Sequence, residues 1–167
     1  MKQLNTSSTA TVIAGNNGAG SGLNQLNSPM GIYIDVNNAS ILYIVDSANH
    51  RIQQWVIGAS TGVTIAGGNS NGAALNQLDT PRAVISDSYG NIYISDTNNH
   101  RIVMWSKGAS AGTVVAGVSG VSGSSATSLN YPNGITFDTN KNLYVADSNN
   151  FRIQKYIVCP SKLNFFY

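Results

Sequence analysis

The chain has 167 residues, of which 42% are hydrophobic and only 10% are charged. This length and hydrophobic content suit one ordinary domain and exclude a disordered chain. The formal net charge is +2 and the basic residues are scattered, so the sequence lacks the basic patch that phosphate binding needs.

The residue types favour short strands over helices. All seven acidic residues are aspartate, so glutamate, a strong helix former, is absent. Asn, Ser, Thr and Gly occupy the places that charged residues usually take, and these residues favour turns. The single cysteine, Cys159, excludes an internal disulfide framework, so packing alone must hold the fold.

The chain opens with residues 1–10, which we interpret as an N-terminal tail. This stretch has no apolar run of the kind found in a secretory signal, and no later stretch is long and apolar enough to span a membrane. We therefore expect a soluble protein, whose compartment the sequence leaves open.

Residues 29–67, 81–117 and 132–158 repeat one pattern. Pro29, Pro81 and Pro132 are spaced by 81 − 29 = 52 and 132 − 81 = 51 residues. The first two units carry four short runs rich in Val, Ile, Tyr and Trp, separated by turn residues. Four antiparallel strands in about 50 residues is the content of a propeller blade, so the sequence predicts an all-β propeller segment of three four-stranded blades.

The fourth-strand sequence ends only the first two units, and a further copy of it precedes the first unit. "TVIAG" at 11–15 resembles "VTIAG" at 63–67 and "TVVAG" at 113–117, which end the first two units, and it is predicted to be an outer strand. The third unit is followed by residues 159–167, which are either a tail or a substitute outer strand. Three blades form either an open arc or half of a six-bladed ring completed by a second copy in a homodimer.

The eleven-residue phrase "VDSANHRIQQW" at 45–55 returns as "SDTNNHRIVMW" at 95–105 and "ADSNNFRIQKY" at 146–156. In a hairpin, an arginine five residues after an aspartate returns to its side, where the two can form an ion pair. We also expect the aspartate to accept the amides of the turn that follows. The predicted structural clasps are Asp46 with Arg51, Asp96 with Arg101 and Asp147 with Arg152.

Six positions differ between blades while the surrounding pattern is copied. Strand alternation places the residue after each proline at the same end of the blade as the residue before each arginine. Differences on a rigid repeat scaffold are typical of recognition sites, although drift at exposed positions is an equal alternative. The candidate binding residues are Met30, Arg82, Asn133, His50, His100 and Phe151.

These motifs resemble the NHL-repeat family. The phrase Asp-Ser/Thr-x-Asn-His-Arg-Ile, preceded by Leu/Ile-Tyr-Ile/Val and Pro-x-Gly-Ile, carries the resemblance over residues ~10–158. The resemblance implies a β-propeller, commonly six-bladed, that serves as a protein-interaction or RNA-binding surface. A related group is a metal-dependent peptide-amidating lyase.

We predict a non-catalytic scaffold that binds a protein or peptide. The alternatives are an RNA-binding propeller, which the dispersed charge disfavours, and a metal-dependent amidating-lyase-like enzyme. Phe151 replaces His50 and His100 in the third copy, which shows that the turn forms without imidazole. We therefore expect no catalytic residue, metal ligand, cofactor or membrane partner.

Overall fold

The computed structural model describes residues 9–157 and is built from antiparallel sheets. Eleven strands occur in this range, with three short 3₁₀ turns and no α-helix. The strands are β1 Pro29–Ile34, β2 Ile41–Asp46, β3 Arg51–Val56, β4 Val63–Gly67, β5 Ala83–Ser86, β6 Ile92–Asp96, β7 Arg101–Trp105, β8 Thr113–Gly117, β9 Pro132–Phe137, β10 Leu143–Asp147 and β11 Arg152–Tyr156.

Each sheet follows the chain order, so each repeat is one blade. Blade 1 runs β1-β2-β3-β4, blade 2 runs β5-β6-β7-β8, and blade 3 runs β9-β10-β11. The second and third strands of every blade pair without a break from one end to the turn, where aspartate lies opposite arginine, as Asp96 does opposite Arg101. The predicted all-β propeller fold is confirmed.

The hydrophobic core lies between the blades. Successive residues of a strand point to opposite faces, so β6 serves two interfaces. Ile92 and Ile94 pack with residues of blade 1, whereas Tyr93 packs with residues of blade 3. The connections between blades contribute as well, because Leu78 and Leu129 are fully buried in the first and second interface.

The outer strands differ from the sequence prediction in two places. Residues 11–15 form no strand, because an extended segment becomes a strand only beside a partner and none lies beside it in the single chain. Blade 3 has three strands within the described residues rather than the four predicted. The candidate substitute strand at 159–167 lies outside those residues. No helix in the 9–157 range is long and apolar enough to cross a membrane.

Candidate functional site

A fully buried ion pair lies at one end of blade 2. Arg101 Nε donates to Asp96 Oδ2 at 2.7 Å, and neither side chain is exposed. A guanidinium has five N–H donors, and here all five have acceptors. The other four go to the Ala73 carbonyl and Ser119 Oγ from one nitrogen, and to the Ala74 and Gln77 carbonyls from the other.

The same arrangement recurs in the other two blades. The Nε–Oδ2 distance is 2.7 Å for Arg51 and Asp46 and 2.8 Å for Arg152 and Asp147. Each guanidinium also binds carbonyls of the connection that leads into its own blade, as Arg101 does. These acceptors are Ser21, Gly22 and Gln25 in blade 1 and Ser124, Ser125 and Ser128 in blade 3. The structure thus brings all three predicted pairs together and ties each to an incoming connection.

The aspartates do not bind the backbone amides of the following turn, so that expectation was wrong. Oδ1 of Asp96 instead accepts the backbone amide of Asp79, 17 residues earlier, at 2.7 Å. Oδ2 also accepts the side-chain amide of Asn99 at 2.9 Å. The turn closes through its own backbone bond, from the His100 amide to the Thr97 carbonyl, which leaves the carboxylate free to bind the incoming connection.

Burial sets the protonation behaviour of the carboxylates. Burial raises the pKa of Asp96, although the bonds from the Asp79 amide and Asn99 and the charge of Arg101 favour its ionised form. Burial also opposes the ionisation of Asp147, but the donors Asn150, Asn130 and Arg152 outweigh it and lower the pKa. The more open third blade explains the difference, because Arg152 is 30% exposed and Arg101 is not exposed at all.

The two histidines join neighbouring blades. His50 Nδ1 accepts the backbone amide of Thr80 at 3.1 Å, and His100 Nδ1 accepts that of Tyr131 at 3.2 Å. The His100 ring also meets the Tyr131 ring edge to face, with centroids 4.6 Å apart. Each imidazole therefore accepts a hydrogen bond from the connection that enters the next blade, and its Nδ1 is the unprotonated nitrogen.

We expect this His100 contact to depend on pH. Burial lowers the pKa of His100 below its usual 6.5, so its stabilising contribution is complete above pH 6.5 and disappears as the pH falls through the lowered value. Protonation of Nδ1 removes the acceptor. His100→Phe should cost about 1 kcal/mol in unfolding free energy at pH 8 and less at pH 5, as measured by urea unfolding.

Phe151→His is the matched control for that experiment. It restores the histidine of the copied phrase in blade 3, where no further blade follows within the described residues. Measured at a concentration where the chains do not associate, its unfolding free energy should show no gain at pH 8 relative to the wild type. A cost for His100→Phe that is equal at both pH values would contradict the assignment of Nδ1 as the acceptor.

The candidate binding residues lie at the same end as the ion pairs. The first strands of neighbouring blades are adjacent, β1 beside β5 and β5 beside β9, so the residues after the three prolines follow one another across the blades. Met30 is exposed, whereas Arg82 and Asn133 are half-buried. Arg82 Nε is buried with no hydrogen-bond partner among the described residues. We call the surface formed by Met30, Arg82, Asn133, His50, His100 and Phe151 the variable face.

A cavity of about 440 Å³ lies at the opposite end, between blades 1 and 2. Sequence reasoning missed it, although the first turn is longer in blade 1: Tyr43 − Asp35 is 8, whereas Tyr93 − Asp87 is 6. Residues of that turn line the cavity. The lining includes Asn37, Asn38, Gln54, Tyr89, Trp105 and Lys107.

The carboxylate that lines this cavity, Asp35, already accepts hydrogen bonds through both oxygens. Asp35 Oδ1 accepts the amides of Asn37 and Asn38 at 2.7 and 3.0 Å, and Oδ2 accepts the Tyr43 hydroxyl. Burial, together with the hydrogen bond to Asp35, raises the pKa of Tyr43. Asp35 therefore stabilises its own turn, and the cavity presents amides, aromatic rings, three isoleucines and one lysine.

No group of three or more His, Cys, Asp or Glu side chains within residues 9–157 is arranged to hold a metal ion. The two imidazoles lie in different blades, and each is committed through Nδ1 to a backbone amide. Asp79 Oδ1 lies 3.6 Å from His50 Nδ1, and the aspartates that begin the turns are paired with arginines. The described part of the chain therefore holds no assembled set of metal ligands.

The family model for the NHL repeat matches residues 129–156, which span the whole of blade 3. The matched range includes Asp147, Asn150 and Arg152, whose contacts are copied in blades 1 and 2, so the suspected relation to NHL-repeat propellers is confirmed. No curated protein matches the chain significantly.

Solved structures share the fold of this chain at low sequence identity. An auxiliary nutrient binding protein from Bacteroides thetaiotaomicron superposes with a TM-score of 0.60 at 21% identity, covering 74% of this chain and 36% of that one. One from Bacteroides ovatus gives 0.59 at 15%, covering 80% and 49%. A streptogramin B lyase gives 0.53 at 17%, covering 76% and 36%. The chain thus spans between about a third and a half of these proteins.

Proposed function

We propose that the chain is a non-catalytic NHL-repeat binding scaffold whose variable face binds a protein or peptide. One observation carries the proposal. The three blades copy the ion pair and its bonds to the incoming connection, yet the adjacent first strands begin with an apolar, a cationic and an amide side chain, at Met30, Arg82 and Asn133. Varied side chains on a copied frame are the arrangement that recognition by repeat proteins uses.

The chemistry of the face suits a polypeptide ligand. Phe151 is 95% exposed and Met30 is also exposed, so both offer apolar surface at the edge of the face. Arg82 adds a half-buried guanidinium cation to the face. Aromatic and arginine side chains provide much of the binding energy in protein interfaces. Two of the structurally similar proteins are described as nutrient binding proteins, which supports a binding role.

The titratable groups of the repeated phrase are engaged in ion pairs and hydrogen bonds, which supports a non-catalytic role. The aspartates of the repeated phrase are neutralised by buried or half-buried arginines, and the histidines hold backbone amides. A general base needs a free lone pair that can reach a substrate proton. The streptogramin B lyase shares the fold with this chain at 17% identity, and the fold alone does not assign its activity.

The test is a peptide selection against the full chain. Peptides from a displayed random library are enriched on the wild type, and their affinities are then measured for the triple variant Met30→Ala, Arg82→Ala, Asn133→Ala. We expect affinity to fall by at least about tenfold, which corresponds to the loss of one interface anchor. Tyr89→Ala at the opposite end is the control and should retain full affinity.

Three results would overturn the proposal. Selected peptides could bind the triple variant as tightly as the wild type, which would place recognition elsewhere. RNA binding that weakens steeply with salt and disappears in Arg82→Ala would favour the RNA-binding alternative. A bound metal in the purified protein, lost in His50→Ala and His100→Ala, would favour the lyase-like enzyme.

A further inference from the structure

The leading face of blade 1, the face turned away from blade 2, exposes positions that are buried in blade 2. Val84 of blade 2 packs into the core shared with blade 1, and Ile32 occupies the same position in blade 1 but is 70% exposed. Two residues further along, Ile34 is 46% exposed, whereas Ser86 is buried. In blade 2, what covers these positions is the blade before it.

The trailing face of blade 3, which is turned away from blade 2, also exposes a position that is buried in the other two blades. Ile52 and Ile102 occupy the same position in the third strands of blades 1 and 2, and both are fully buried against the blade that follows. Ile153 is their counterpart in β11 and is 67% exposed. Contiguous exposed apolar surface is unusual in soluble monomers and marks interaction sites.

Residues 15–26 already have the structure of a segment that leaves an outer strand. In the connection after β4, Asn69 donates to the Gly67 and Asn76 carbonyls and Gln77 donates to the Asn69 carbonyl. Asn17 and Gln25 make the same three bonds to the carbonyls of Gly15, Asn24 and Asn17. The bridge between Asn71 and Leu78 also recurs, between Ala19 and Leu26.

Gly15 therefore corresponds to Gly67, the last residue of β4. Both have a left-handed backbone, with φ of 76° and 68°, and both lie against the leucine of the connection, Leu26 and Leu78 respectively. In blade 1, Gly67 pairs with Arg51 and Ala66 pairs with Ile52. Residues 11–15 thus hold the place of an outer strand that has no third strand beside it in the single chain.

We propose that blade 3 of one copy packs on the leading face of blade 1 of a second copy, and that residues 11–15 of the second copy add to β11 as its outer strand. This inference goes beyond the proposed function. The described residues form three blades, and two copies give six, which lies within the four to eight blades of propellers. The two junctions are equivalent, so a two-fold axis relates the copies, and each blade 3 then has four strands.

Phe151 fits such a junction. At the two internal junctions a histidine accepts the amide of Thr80 or Tyr131, the residue just before the proline of the next blade. The corresponding residue in the second copy is Ser28, which shares their left-handed backbone. An apolar ring in place of the acceptor puts Phe151 against the Pro29 and Met30 segment, whose side chains are exposed in the single chain.

The test is the mass of the full chain in solution at micromolar concentration, by light scattering. We expect twice the mass of one chain, and a single-chain mass after deletion of residues 1–15 and in Ile32→Asp. Tyr89→Asp introduces the same charge at an exposed position outside the junction and should remain dimeric. A monomeric wild type would overturn the proposal, as would a dimer that survives both changes.

Hydrogen exchange is measured on the wild type, so its result does not depend on whether the variants fold. In the two-chain ring, β11 has partners on both sides, so the amides of residues 152–156 should exchange as slowly as those of β7 in blade 2. Rapid exchange confined to β11 would show an open edge and contradict the proposal. The dimer variants leave Arg82 and Asn133 unchanged, so a failure here leaves the peptide selection at those residues informative.

Discussion

Arg101→Met is expected to destabilise the protein by about 3 to 5 kcal/mol, the usual cost of removing one partner of a buried ion pair. The substitution leaves Asp96 without a counter-charge in a site that excludes water. It also removes the donors that hold three carbonyls of the connection between blades 1 and 2, at Ala73, Ala74 and Gln77. Urea unfolding monitored by tryptophan fluorescence measures the effect.

Arg152→Met is the matched control in blade 3. It removes the corresponding bonds to the aspartate and to three carbonyls. Arg152 is partly exposed in the single chain, so water can reach the partner groups. Its cost should be clearly smaller than that of Arg101→Met. Arg101→Lys should recover little stability, because an ammonium has three donors and cannot reproduce the planar arrangement of five. Equal costs for Arg101→Met and Arg152→Met would contradict the role given to burial.

Gly117→Ala should be the most damaging single-methyl change in blade 2, at more than about 4 kcal/mol. Gly117 has φ of 82°, and an added Cβ would lie 2.2 Å from the His100 carbonyl oxygen and 3.0 Å from Arg101 Cα. Both neighbours are backbone atoms next to the buried ion pair, so neither can move away at low cost.

Gly108→Ala separates the clash from the backbone conformation. Gly108 has φ of 77°, and nothing lies within 4 Å of its added Cβ. It should show only the cost of an alanine in a left-handed conformation, about 1 to 2 kcal/mol. Thermal unfolding of both variants gives the comparison. A similar loss for both would mean that the close approach at Gly117 does not constrain the blade.

The fold could be predicted because the same pattern of strand and turn residues occurs three times in the sequence. The spacing of Asp46 and Arg51 follows from hairpin geometry alone, and the structure places the two side by side. The partners of the arginines could not be predicted. They are carbonyls 24 to 30 residues away along the chain, and only the packing of a connection over its own blade brings them there.

The candidate site was partly predictable for a similar reason. Strand alternation located Met30, Arg82 and Asn133 at one end, because it needs only the order of strands and turns. It could not reveal that His50 and His100 accept amides from the next blade, since that contact crosses between sheets. A strand at 11–15 was predicted from its likeness to 63–67, but local sequence cannot supply the neighbouring strand that pairing requires.

In the proposed function, the copied residues hold the frame while Met30, Arg82 and Asn133 bind the ligand. This division is tested by the calorimetric affinity of one selected peptide for the three single alanine variants. At least two of them should bind more weakly by about tenfold, with unfolding midpoints close to that of the wild type. Wild-type affinity in all three variants would contradict it.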